Sequence, residues 1–190
     1  MSAPGRLGSA IAALLALLGC APRPVDASKL AYPVLVFTST GPEPRADATS
    51  LCTTTQLQLD TYYGLEVLDL KGRRYTVTEV HAASKPSFWK NLTGTAPMLV
   101  DLRLKPGPAL DLAGAKATIA SHVMAEGSFL ESAEGGRARI LATLNADPDL
   151  GTIFRRFGTE WSSGAIRDSI QRESDTRNGI VRGPDGRHPH

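Results

Sequence analysis

The apolar positions change character along the chain, from short β-type runs in the first half to helical spacing in the second. Ala31-Tyr32-Pro33-Val34-Leu35-Val36-Phe37-Thr38 is apolar on both parities and rich in β-branched and aromatic residues, so it predicts a strand buried on both faces, starting near Pro33. Gly41 to Ala48 contains two prolines and reads as a loop. Thr53 to Tyr63 sets Leu57, Leu59, Tyr62 and Tyr63 among polar residues and predicts a short helix. Leu65–Leu70 and Tyr75–Ala82 flank Lys71-Gly72-Arg73-Arg74, where Gly72 supplies the permissive dihedral of a hairpin. In Met98 to Lys105 the residues Met98, Val100, Leu102 and Leu104 share one face, opposite Asp101, Arg103 and Lys105. That is a half-exposed strand, with Pro106-Gly107-Pro108 as its expected stop.

Helical spacing follows. Leu112, Ala115, Ile119 and Val123 recur at intervals of three and four, predicting a helix over Asp111–Glu126 with Gly127 as its stop. Glu134–Asn145 and Pro148–Phe157 read as two more, the latter opened by Asp147 with Pro148 just inside, and Ser162–Glu173 as a last one. Ala117–Val123 and Arg137–Leu144 also alternate as strands would, and their alanine content favours helix. The expectation is a single α+β domain over residues 30–173, an antiparallel sheet of about four strands with helices mainly from the C-terminal half. Residues 174–190 hold three glycines and two prolines with little to bury, and are expected to be a disordered tail. No internal repeat is visible. Arginines at 167, 172, 177, 182 and 187 drift around a helix without forming a stripe, so they read as solvated charge, with contact to anionic lipid or wall polymer as the alternative.

The N-terminus adds a segment that no globular core requires. One cation, Arg6, precedes the run Ile11-Ala12-Ala13-Leu14-Leu15-Ala16-Leu17-Leu18. That run is shorter than the ~20 apolar residues a spanning helix needs and fits the ~7–15 of an export signal. It ends in Leu17-Leu18-Gly19-Cys20, which resembles the lipobox of bacterial lipoproteins, although Leu18 stands where such boxes more often carry a small residue. The resemblance covers the first 20 residues. It implies a signal peptide over 1–19, cleavage between Gly19 and Cys20, and acyl chains on Cys20. Residues 20–29 would then be the lipidated cysteine and a flexible tether, since Pro22 and Pro24 lie in a stretch with no apolar period. Two or more acyl chains would hold the protein on a membrane at ~0.8 kcal/mol per buried methylene. Ala21 in place of Asp implies, by the same resemblance, the outer membrane over the inner, with the domain facing the periplasm. Ordinary signal cleavage at Gly19-Cys20-Ala21 is the competing reading.

Composition then narrows the chemistry. Among 190 residues, 21 Lys and Arg against 19 Asp and Glu leave a net charge of +2, which excludes a nucleic-acid-coating protein. The hydrophobic fraction of 42 % is enough for a real core. With Cys20 acylated, Cys52 is the one remaining thiol, so no internal disulfide is available. Cys52 reads as a small buried hydrophobe near a helix start, or else as a reactive thiol needing a neighbouring His or cation. No G-x-S-x-G, H-E-x-x-H, P-loop, dinucleotide fingerprint or C-x-x-C occurs. His81 falls on the face of Tyr75 and Val77, and His122 lies three residues beyond Ile119; each reads as a partly buried, hydrogen-bonded side chain. A Ser121 or Ser128, His81 and Asp101 set has no support in spacing. His188-Pro189-His190 offers two metal ligands where a specific site needs three or four. Phe88-Trp89 and Trp161 read as caps on a small core, and Asn91-Leu92-Thr93 matches a glycosylation sequon. No catalytic residue, metal site or cofactor is therefore expected. The expectation is a lipid-anchored envelope module that binds an envelope protein or polymer, with a small periplasmic hydrolase or thiol-dependent enzyme using Cys52 or a histidine as the alternative.

Overall fold

A computed structural model describes residues 23–84, 94–125 and 136–162, with positions 174 and 177. The apolar run predicted to be buried on both sides is the strand around which these residues are organised. It is β2 (Val34–Thr38), with Val34, Leu35, Val36 and Phe37 all buried. Its neighbours are β3 (Gly41–Arg45) and β5 (Glu66–Asp69), and β5 is followed by β6 (Arg73–Ala82) and β7 (Pro97–Ala109). Two short strands, β1 (Val25–Asp26) and β4 (Thr53–Thr55), pair with β7. The described sheet has seven strands, all pairings antiparallel, in the order β1-β7-β6-β5-β2-β3, with β4 off this path. The inner edge of β7 is taken by β6 and by Ala83 N–H on Leu99 O, so β1 and β4 share its outer edge.

Alternation along β2 and β5 feeds two cores. Leu35, Phe37 and Leu68 point into one, with the buried stripes of α2 (Leu112–Val123), α3 (Gly136–Ala146) and α4 (Leu150–Thr159). Val34, Val36 and Val67 point into the other, with Tyr75, Val77, and Met98, Val100, Leu102 and Leu104 of β7. Ala27, Leu30, Leu51 and Tyr62 cover that second core, carried by a 3-10 turn (Ala27–Lys29), helix α1 (Ala48–Leu51) and a 3-10 helix (Gln56–Tyr62). The fold is α+β, with its longer helices in the C-terminal half. The helical reading of 117–123 and 137–144 holds over the strand alternative.

Three strands escape the sequence pattern. Gly41–Arg45 is not a loop but the edge strand β3: with Val36 opposite Glu43, and Phe37 opposite Pro42, the prolines alternate with the residues that can donate to β2. An edge strand tolerates them because the missing N–H groups face outward, where they also blunt the edge against foreign strands. Val25–Asp26 is not tether but β1, and Ala27 behind it is buried, so Val25–Lys29 of the segment expected to be flexible over 20–29 belongs to the fold. Thr53–Thr55 leaves the predicted helix to pair with Pro97–Leu99, as β-branched residues favour, and the remainder winds as 3-10. Leu59 and Tyr62, three apart, turn inward as the 3-10 repeat requires, while Leu57 and Tyr63 stay exposed.

Smaller corrections concern ends and faces. β7 runs through Pro106-Gly107-Pro108, because a register shift between Arg73 and Tyr75 absorbs the prolines. A second shift, between Val77 and Glu79, turns β6 over: Val80 and Ala82 oppose the inward Leu102 and Val100, so His81 leaves the face of Val77 and is exposed opposite Asp101. Helix α4 is capped by Asp149, whose side chain accepts from Thr152 N, and not by Asp147, which is buried on the Arg156 guanidinium at 3.0 Å. Asp111 caps α2 through Gly114 N. The Gly127 stop, Phe88-Trp89, Asn91-Leu92-Thr93, Ser128, the helix expected after Ser162, the rest of the tail with His188 and His190, and the whole of 1–22 with Gly19 and Cys20 lie outside the described residues, whereas Ser174 and Arg177, expected to be disordered, are helical and exposed.

The β5–β6 turn is the tightest joint. Asp69, buried, accepts from the backbone N–H of Lys71 and Arg73 at 2.9 Å and from Tyr75 Oη at 3.3 Å. Gly72 sits at φ +74°, and Leu110 N donates to its carbonyl at 2.8 Å. A Cβ on Gly72 would stand 2.5 Å from Leu110 O, whereas one on Gly64, at φ +81°, meets nothing within 4 Å. Gly64→Ala is therefore expected to cost about 1 kcal/mol, from backbone strain alone. Gly72→Ala is expected to cost roughly 2 kcal/mol more, from the clash. Urea unfolding of both variants checks the difference, and equal costs would show that the hairpin tip is not wedged against Leu110.

Candidate functional site

Concave surfaces among the described residues carry polar chemistry. The first, of about 700 Å³, follows the outer edge of β7 in the gap between β1 and β4. Cys52, at the C-terminal end of α1, lines it together with His81, Asp101 and Arg103. The fold thus brings onto one groove three of the side chains singled out in the sequence, from positions 52, 81 and 101. Their chemistry does not converge. Burial pushes the Cys52 thiol up, Asp101 adds to the shift, and the Leu102 N–H opposes it. A nucleophilic thiolate needs the opposite environment. The His81 ring lies with Nε2 3.3 Å from Glu79 on the same strand, two-thirds exposed, and Arg103 pairs with Asp26 across β1 and β7.

His122 belongs to the other side of the sheet. Its ring stacks on Phe37 at 4.1 Å with 13° between planes, and Nε2 lies 3.6 Å from Glu66, which also accepts from Arg74 at 2.7 Å. Ser121 donates to Thr118 O on its own helix. His122 therefore serves as a packed, partly buried ring.

The second surface was not foreseen. A cleft of about 550 Å³ opens between the β2–β3 hairpin and the cover formed by α1, β4 and the 3-10 helix. Val36, Leu51 and Leu65 give it an apolar side, and Thr38, Thr40, Glu43, Arg45, Gln58 and Thr61 a polar one. Glu43 is the hub of the polar side: one carboxylate oxygen lies 3.3 Å from the hydroxyls of both Thr38 and Thr40, and the other 2.8 Å from Arg45 Nη2. Thr38 Oγ1 also lies 2.9 Å from Gly41 O, and Thr61 donates to Gln58 O at 2.7 Å. Arg45 Nε is buried without a hydrogen-bond partner. Tyr62 donates to Thr53 O at 3.0 Å, and burial raises its pKa against the opposing charge of Arg45. The hydroxyl-dense stretches Thr38-Ser39-Thr40 and Thr53-Thr54-Thr55 were the available hint, but their convergence depends on strand β3, which the two prolines disguised.

Among the described residues, no group of three or more His, Cys, Asp or Glu is placed to hold a metal ion. Comparison with family models, curated proteins and solved structures finds no match for the chain.

The surroundings of His122 set a pH dependence. Burial lowers its pKa from 6.5, with Arg74 adding to the shift and Glu66 opposing it. The unfolded chain then binds the proton more readily than the fold, so stability rises with pH across this interval. His122 contributes fully above about pH 6.5, its unfolded value, and the contribution is lost as pH falls from there through the folded value. Urea midpoints measured from pH 7.5 to 5 are expected to fall more steeply for the native chain than for His122→Gln. Parallel profiles would remove His122 from this role.

Proposed function

We propose that this chain is a bacterial envelope lipoprotein, anchored by acyl chains on Cys20, whose domain is a non-catalytic binding module. The observation that carries the reading is the junction at Cys20: an apolar run of signal-peptide length ends in Leu17-Leu18-Gly19-Cys20, and a folded domain begins with β1 only five residues later. Five residues span at most about 17 Å. The domain would therefore ride close to the bilayer by its β1 edge. Strand β3 is five interstrand spacings away in the sheet order, roughly 24 Å at ~4.8 Å each. The cleft beside β3 would stand clear of the attachment point, available to an envelope protein or polymer. Ala21 supports the outer membrane, periplasmic side, over the inner. Among the described residues no helix is long and apolar enough to cross a membrane, which leaves attachment to the lipid chains in this reading.

The groove that gathers Cys52, His81 and Asp101 is what a second reading, a small periplasmic hydrolase or thiol-dependent enzyme using Cys52 or a histidine, would rest on. The raised Cys52 pKa counts against it.

Intact mass and membrane fractionation of the full chain expressed in a bacterium, beside Cys20→Ser, test the proposal. The expected result is a native protein lacking residues 1–19, heavier by its acyl chains and found with membranes, and a variant that is neither. A native chain that is soluble and unmodified overturns the anchor.

A further inference from the structure

We infer that the cleft between the β2–β3 hairpin and the α1–β4 cover is a binding site for a neutral saccharide. The inference deepens the reading of the domain as a binding module and names the class of ligand. Charge selects first. Glu43 and Arg45 are each other's counter-ion at 2.8 Å, so the cleft offers no net charge with which to recruit an anion or a cation. Recognition is left to hydrogen bonding and shape. Thr38 Oγ1 is enclosed by Thr40 N–H, Thr40 Oγ1, Gly41 O and Glu43, so on this wall Thr40 Oγ1 keeps an acceptor position, while Gln58 and Thr61 contribute an amide and a hydroxyl oxygen from the opposite wall. Donors and acceptors thus stand on both sides of the space.

The apolar side completes the match. Leu65, partly exposed, gives the cleft an apolar surface, with Val36 and Leu51 buried behind it. A pyranose ring has the complementary anatomy, with C–H groups on its faces and hydroxyls around its rim. A purely apolar ligand would cut the Gln58 amide and the Thr40 and Thr61 hydroxyl oxygens off from water, at a cost of ~1–3 kcal/mol each. Arg45 Nε is buried and closed off from solvent, so the donors that Arg45 can offer a ligand are on its Nη atoms, one of which already bonds Glu43. The volume of about 550 Å³ lies within the range of small-molecule sites.

The test uses the full chain in detergent micelles, so it does not depend on the state of Cys20. Backbone amide shifts are followed during titration with the N-acetylglucosamine tetramer, the glucose tetramer and inorganic phosphate. The expected result is saturable movement of Thr38, Thr40, Gln58 and Thr61 with at least one tetramer and none with phosphate. Gln58→Ala and Arg45→Gln are expected to weaken that binding about tenfold, the worth of one to two hydrogen bonds. Lys71→Gln, outside the cleft, is expected to leave it unchanged. Two outcomes overturn the inference: no saturable shift at these residues with either tetramer while the protein is folded, or saturable phosphate binding there. Acylation is read separately by mass, so a chain that binds sugar without lipid sinks only the anchor, and a lipidated chain that binds no sugar sinks only this site.

Discussion

The structure depends on one strand being buried on both faces. β2 has no solvent side: Leu35 and Phe37 lie under the helices, Val34 and Val36 under the N-terminal cover. Burying such side chains contributes ~1.5–3 kcal/mol each. That gain exists only while both coverings are in place, so helices α2–α4 on one face and the 3-10 turn, α1 and 3-10 helix on the other are each bound to the same strand. β5 repeats the arrangement with Val67 and Leu68. β7 is covered on one side only, as its alternating exposure records.

Two buried carboxylates join the layers where the chain turns. Asp69 ties the β5–β6 hairpin to the segment ahead of β2, taking Ala31 N–H on its second oxygen at 3.4 Å. Asp147 sits between α3 and α4, paired with Arg156, while Lys116 of α2 donates to the carbonyls of Asn145 and Asp147 at 2.8 and 2.6 Å. Removing Arg156 would leave the Asp147 carboxylate buried without its counter-charge, whereas Asp69 is held by backbone N–H groups and the Tyr75 hydroxyl. The cleft borrows this rigidity, since its hairpin wall continues directly from β2.

What was legible in the sequence follows the reach of each physical signal. The double-sided β2, the β5–β6 hairpin, the inward face of β7 and the Ala115-Ile119-Val123 stripe are local periodicities, and each is found at its predicted position. Pairing partners are not local. β1, β3 and β4 are short or proline-bearing segments that become strands only because β2 or β7 presents an edge to them. His81 was assigned to the wrong face because alternation cannot anticipate a bulge. The candidate cleft was illegible for the same reason: Thr38, Glu43, Arg45 and Gln58 meet only once β3 has folded back on β2, whereas the lipobox is contiguous and needs no fold to be read.

Native-state amide hydrogen exchange with increasing urea measures the double burial most directly. The account predicts that the amides of Val34–Phe37 and of Val67 and Leu68 exchange only through global unfolding, with the free energy and urea dependence of the whole domain, while those of β1 exchange through smaller openings. Exchange of β2 through a partial opening that leaves either core protected would contradict it, because the two cores would then be separable and the shared strand would not be what holds them together.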